Sequence, residues 1–251
     1  MDNETWRVVK LEQRNGFENM ALDQAISEDI SKGTSPPTIR FYEWEPSAVT
    51  IGYFQSLKQE VDVENCLKQG VDIIRRITGG GAVYHDTRGE ITYSVIAREG
   101  MFPSDLTETY KRIGDWIIDS LDELGIVSQF HPINDIIAYG KKISGNAQTR
   151  RNGVMHQHGT ILYDVDVEKM FSLLKVDDIK ILDKIITSVK DRVTSVQHIS
   201  QKSKPELADA LVHGFTQNKQ YEFGTWTPHE LERMNELVET KYSTREWNYW
   251  R

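Results

Sequence analysis

Asn134-Asp135-Ile136-Ile137-Ala138-Tyr139-Gly140-Lys141-Lys142-Ile143-Ser144-Gly145-Asn146-Ala147-Gln148 reads as a hairpin. An apolar strand runs into a Tyr-Gly turn and returns through a strand that starts with two lysines. Working outward, strand signals dominate from about Val127 to Tyr163. Upstream, Tyr110, Ile113, Ile117, Leu121 and Leu124 recur at helical spacing; Ser104 is the expected N-cap and Gly125 the close. A second helical stripe covers Asn19 to about Ile30, and a shorter one Val61–Lys68. Strands are expected over Trp6–Leu11, Thr38–Tyr42, Ala48–Tyr53, Val71–Arg75 and Ile91–Ile96. Past Tyr163 the chain reads as mostly helical, and Thr227-Pro228-His229-Glu230 forms a capping box with proline at the first helical position. Short turns, rather than helical crossovers, join many of the strands. The pattern predicts an α+β fold, a mixed and mainly antiparallel sheet with packed helices, rather than a Rossmann fold.

The chain has 251 residues, room for one large domain, and shows no repeat or low-complexity linker. No apolar stretch approaches a membrane span. The opening Met1-Asp2-Asn3-Glu4-Thr5-Trp6 is acidic and lacks the apolar core of a signal peptide. The single cysteine, Cys66, cannot form an internal disulfide, which fits a reducing cytoplasm. A formal charge of −8 argues against non-specific nucleic-acid binding, although a local basic pocket for an anion is compatible with it.

Three segments carry chemistry. Arg75-Arg76-Ile77-Thr78-Gly79-Gly80-Gly81-Ala82-Val83-Tyr84-His85-Asp86 places two arginines before three glycines. A backbone without Cβ atoms lets a ligand come close and meet amide N–H groups, and the arginines suit phosphate or carboxylate. A glycine-rich hairpin with solvated arginines would read the same. The segment is neither a Walker A loop nor a Rossmann fingerprint. In the opening hairpin, the small residues Ser144-Gly145-Asn146-Ala147 make room beside the backbone. A lysine at the edge of that space can hold a phosphate or polarise a carbonyl, and Asp135 in the paired strand can hold Mg²⁺ or orient the lysine. Merely solvated lysines are the plainer reading. Third, His156 and His158 share a strand face, but no cysteine or acidic third ligand accompanies them in sequence. A structural histidine or a pocket wall is the expectation, rather than zinc.

Taken together, these segments resemble the lipoate–protein ligase and octanoyltransferase superfamily, which is related to biotin–protein ligases. The resemblance runs through Asn19-Met20-Ala21-Leu22-Asp23, Arg40-Phe41-Tyr42, Gly52-Tyr53-Phe54-Gln55, the Arg75–Asp86 stretch, Asn134-Asp135, Gly140–Gln148 and His158-Gly159-Thr160. It continues to Lys241-Tyr242-Ser243 and Glu246-Trp247-Asn248. It implies a biotin/lipoate protein ligase-like (class II synthetase-like) catalytic domain over residues 1–251, with no C-terminal accessory domain. Lys142 matches the family's active-site lysine, which would contact the acyl carbonyl and α-phosphate. One of Arg75 and Arg76 would hold phosphate. Gly79, Gly80 and Gly81 would lie along the acyl chain and adenylate, with Ala82, Val83, Tyr84 and His85 beside the nucleotide. Asn134 and Asp135 match a ligase pair near phosphate and Mg²⁺, and Gly145, Ala147 and His158 would complete the binding site. The implied reaction uses ATP and Mg²⁺ to convert lipoate to lipoyl-AMP, then passes the acyl group to a lysine of an apo lipoyl carrier, a glycine-cleavage H protein or a 2-oxoacid dehydrogenase E2 domain. A small separate accessory protein is the implied partner.

The branch of the superfamily stays open at this point. Cysteine-dependent octanoyltransferases and amidotransferases place their nucleophile just upstream of the matching lysine, whereas Ser128–Gly140 holds no cysteine. That absence and the Asn134-Asp135 pair favour the ligase. Thr87-Arg88-Gly89-Glu90-Ile91-Thr92-Tyr93-Ser94, by contrast, reads like the octanoyltransferase branch, which would move an acyl group from a carrier protein without ATP. A non-catalytic binding subunit of the same fold is a further alternative, disfavoured by Lys142, Arg75, Arg76 and Asp135. A biotin ligase ranks below these because the glycine loop is of the lipoate type.

Overall fold

A computed structural model describes residues 4–175 and 182–251. Its strands are β1 (Trp6–Arg14), β2 (Thr38–Trp44), β3 (Ala48–Ile51), β4 (Asp72–Arg75), β5 (Val83–His85), β6 (Glu90–Arg98), β7 (Ser128–His131), β8 (Asp135–Ala138), β9 (Lys141–Arg151), β10 (Val154–Leu162) and β11 (Tyr221–Phe223). The helices are α1 (Gly16–Lys32), α2 (Leu57–Glu60), α3 (Val63–Lys68), α4 (Leu106–Glu123), α5 (Val167–Leu173), α6 (Leu182–Arg192), α7 (Val196–Ser200), α8 (Lys204–Thr216), α9 (Pro228–Leu237) and α10 (Arg245–Asn248). An eight-stranded sheet runs β11-β1-β2-β6-β10-β9-β8-β7, and a three-stranded sheet runs β4-β3-β5. In the large sheet only β1 pairs in parallel, with β2 and β11; every junction from β2 to β7 is antiparallel. The expected α+β class, with a mixed and mainly antiparallel sheet, is the observed one.

Side-chain alternation explains the layers. Along β2, Ile39 and Phe41 enter the core beneath α4 and α8, whereas Tyr42 and Trp44 enter the core beneath α1 and α9. β6 has helices over both faces, so all of its residues except Arg98 are buried. Helix α1 brings Met20, Leu22, Ile26 and Ile30 into the second core, and burying each such side chain contributes roughly 1.5–3 kcal/mol. Asn15 starts this helix by accepting a hydrogen bond from the Glu18 amide. A third core, with Val49, Ile51, Leu57, Cys66 and Leu173, lies under the small sheet.

Two expectations shift. Asp105, rather than Ser104, caps α4, because its carboxylate accepts from the Glu108 amide at 2.8 Å. The strand expected over Ala48–Tyr53 stops at Ile51, where the chain turns to the glycine loop, and it leaves the large sheet to build the small one. The capping box at Thr227 opens α9 as expected. Among the described residues no helix is long and apolar enough to cross a membrane.

Candidate active site

A cavity of about 300 Å³ lies between the two sheets. Leu162, Val165, Val167, Met170, Val189 and Val193 give it an apolar wall. Trp44 and His85 line it too, their rings stacked with centroids 4.0 Å apart. A buried chain of polar contacts fixes that stack. His85 lies 2.8 Å from Thr50 through Nε2 and 2.7 Å from Glu90 through Nδ1. Thr92 donates to Glu90, and the Trp44 indole donates to Thr92. Each polar group there has a partner, so the stacked rings form a fixed wall.

Lys142 stands at the cavity where β9 passes β8. Its Nζ is 2.7 Å from Asp135 Oδ1, and its side chain keeps 41% exposure against 28% for Asp135. The pair is therefore open to a ligand, and the lysine charge is held in position by a carboxylate beside it. A Cβ on Gly145 would lie 2.8 Å from Lys142 Nζ and Cε, so glycine there lets the lysine lie across the strand. Asn134 and Asn146 tie the strands together by exchanging side-chain and backbone bonds, and the Tyr93 hydroxyl donates to Asn146 Oδ1 at 2.6 Å.

The arginine pair divides. Arg76 lines the cavity and donates to Thr50 Oγ1, Gly79 O and Gly81 O, holding the glycine loop from inside. Burial pushes its pKa down to about 10. Arg75 points elsewhere: its guanidinium donates to the carbonyls of Gly52, Tyr53, Gln55, Trp247 and Asn248. Of the pair, one of which the resemblance expects to hold phosphate, only Arg76 lines the cavity, and the binding role expected of Arg75 is corrected. Adjacent strand residues face opposite sides, and this one serves as a clamp between the loop after β3 and α10. Gly79 likewise does not line the cavity, whereas Gly80, Gly81, Ala82, Val83, Tyr84 and His85 do. Gly80 sits at φ 95, a conformation that needs glycine.

Asn134, Gly145, Ala147 and His158 also line the cavity. Asp135 touches it through Lys142. The acidic partner missing from the histidine pair in sequence is Asp23 of α1, 3.2 Å from His156 Nε2 and 3.8 Å from His158 Nδ1. Burial alone would raise the Asp23 carboxyl, but His156 and Arg40 beside it outweigh burial and hold it well below the usual range. Burial pushes His158 down to about 4. Sequence reading also missed Trp44, Asp86, Glu90 and Asn146 as lining residues. Asp86 and Asn146 lie inside the segments already singled out, so their neighbours were the available signal.

A family model described as the lipoyl protein ligase A/B catalytic domain matches residues 15–216. The chain belongs to this family. A relative from Brevibacillus brevis named octanoyltransferase LipM is 35% identical over 274 residues, spanning 98% of this chain and 99% of that protein. A solved chain from Thermoplasma acidophilum, from work describing a bi-partite lipoate protein ligase and its E2 lipoyl domain, is 34% identical with TM-score 0.89, covering 99% of this chain and 97% of that one. A lipoate-protein ligase A solved with ATP is 32% identical with TM-score 0.84, covering 98% of each chain. The fold is that of lipoyl and octanoyl transfer. The relative's name supports the octanoyltransferase alternative better than the ATP-dependent ligase favoured by the sequence.

Proposed function

We propose that the chain transfers a lipoyl or octanoyl group to a lysine of a lipoyl carrier domain, and that its donor is an acyl-adenylate made from ATP. The observation that carries the second half is the pairing of Lys142 with Asp135 at a cavity that no thiol reaches. The only cysteine, Cys66, is buried in α3 among Val49, Ile51 and Leu173, and burial, with Asp62 adding to it, pushes its thiol up to about 11. A buried, protonated thiol is no nucleophile.

In the first step an acyl carboxylate oxygen attacks the α-phosphorus of ATP, the α–β phosphoanhydride breaks and pyrophosphate leaves. In the second the carrier lysine attacks the acyl carbonyl, AMP leaves and the amine gives up its proton. Lys142 stabilises negative charge at both stages. The open space beside Gly81, where an added Cβ would meet nothing within 4 Å, suits close approach of the adenylate. Asp135, a hard oxygen donor beside Lys142, would hold the Mg²⁺ that screens phosphate charge. The apolar wall would take the acyl chain, where each buried methylene contributes roughly 0.8 kcal/mol. Likeness to the Thermoplasma system supports an E2-type carrier, and its description as bi-partite supports a small accessory protein beside one catalytic domain.

A second reading, octanoyl transfer from a carrier protein without ATP, is favoured by the name of the Brevibacillus relative. One assay separates them. Apo carrier is incubated with this chain and either lipoate, ATP and Mg²⁺ or octanoyl-carrier protein alone, then weighed by mass spectrometry. A lipoyl mass that requires ATP is expected, with accessory protein added if the chain alone is slow. An octanoyl mass formed without ATP overturns the adenylate route. No acyl mass in any mixture overturns acyl transfer itself.

A further inference from the structure

Three metal-ligating side chains meet outside the Lys142 end of the cavity. His156 and His158 leave the same face of β10, and Asp23 reaches them from α1. All three residues are buried, and their ligand atoms lie within 4.8 Å of one another. We propose that Asp23, His156 and His158 form a zinc site in the wall of the cavity. This inference shares His158 with the cavity lining but does not rest on the acyl-transfer reading.

The spacing suits a tetrahedral ion. Zinc bonds of about 2.0–2.1 Å place neighbouring ligand atoms roughly 3.3 Å apart. Asp23 Oδ2 lies 3.2 Å from His156 Nε2 and 3.8 Å from His158 Nδ1, bracketing that distance. Two imidazoles and a carboxylate are a donor set that zinc accepts. Ser94 Oγ, 2.8 Å from Asp23 Oδ2 and 3.5 Å from His156 Nε2, stands where a fourth ligand or a bound water would be held. The Tyr42 hydroxyl is 3.4 Å from the same carboxylate oxygen.

Outer contacts hold His158 and Asp23, whereas His156 Nδ1 is buried without a hydrogen-bond partner among the described residues. His158 Nε2 lies 2.8 Å from Thr78 Oγ1, which fixes the ring with Nδ1 toward Asp23. Arg40 donates to Asp23 through Oδ1 at 3.0 Å, leaving Oδ2 for the ion. Arg40 also donates to Glu12 at 3.3 Å, and Glu12 in turn pairs with Arg14 at 3.2 Å, so Asp23 keeps Arg40 as its own counter-charge. His158 lines the cavity, so the ion would stiffen its wall.

The test uses the full chain, stripped with a chelator and titrated with Zn²⁺ against a chromophoric competitor. One zinc per chain is expected, and His156→Phe should weaken it at least about tenfold. Lys142→Ala should keep the stoichiometry. X-ray absorption at the zinc edge of the unmodified protein should show two imidazole ligands, a reading that stands even if the His156 variant does not fold. No bound zinc, wild-type affinity in His156→Phe, or a single imidazole in the absorption spectrum overturns the site.

Discussion

Lys142 carries the proposed chemistry. Its ion pair with Asp135 is partly exposed, so its contribution to folding is about 0–1 kcal/mol. Lys142→Ala should therefore lower acyl transfer by about a hundredfold or more while leaving thermal unfolding nearly unchanged; equal losses in both would show a structural role instead. Gly145→Ala should act through the same lysine, because its new methyl would sit against Nζ, and kcat should fall more than stability. Cys66 gives the opposite expectation. Its thiol should react with an aromatic disulfide at pH 8 only as fast as the protein unfolds, and at once in denaturant. Rapid labelling of native protein would reopen the thioester route. At this scale Lys142 was legible because it stands in a strand of small residues. The separate duties of Arg75 and Arg76 were legible only through strand alternation. Asp23 was hidden because its partners lie on another element, far along the chain.

Elements show why local signals served some expectations and failed others. The apolar stripe of α1 and the turn-linked strands β7 to β10 follow from side-chain periodicity. The division of β2 and β3 between two sheets does not, because pairing partners are set by tertiary packing that a short β-rich run leaves unspecified. Helix α9 is fixed to β1 by a buried pair: Arg7 donates to both oxygens of Glu230, at 2.6 and 2.8 Å, and Glu230 also accepts from the Thr227 amide. Burial alone would raise the Glu230 carboxyl, and these donors outweigh burial and lower it. A depressed carboxylate stabilises the fold above its ordinary value of 4.5, and that contribution disappears as pH falls through the lower folded value. Glu230→Gln should cost roughly 3 kcal/mol in denaturant unfolding at pH 7, with the gap to wild type closing in acid. A constant gap at every pH would assign the loss to packing.

Across the whole molecule, the site exists because two sheets from different stretches of chain close on one cavity. Family resemblance named the lining from Gly80 to His85 and Arg76, Asn134, Lys142, Gly145, Ala147 and His158, but the opposition of the Trp44–His85 stack to the wall around Met170 required the tertiary arrangement. The same arrangement has a consequence for synthesis on the ribosome. Arg7 and Glu230 are 223 residues apart in the chain, and β1 is flanked by β2 on one side and β11 on the other. A nascent chain therefore carries the Arg7 guanidinium without its carboxylate, and one open edge on β1, until β11 and Glu230 have emerged. Contacts of such separation form late, and an open edge invites pairing with other chains. In the interval between making β1 and making β11, that edge of β1 is thus open to such pairing.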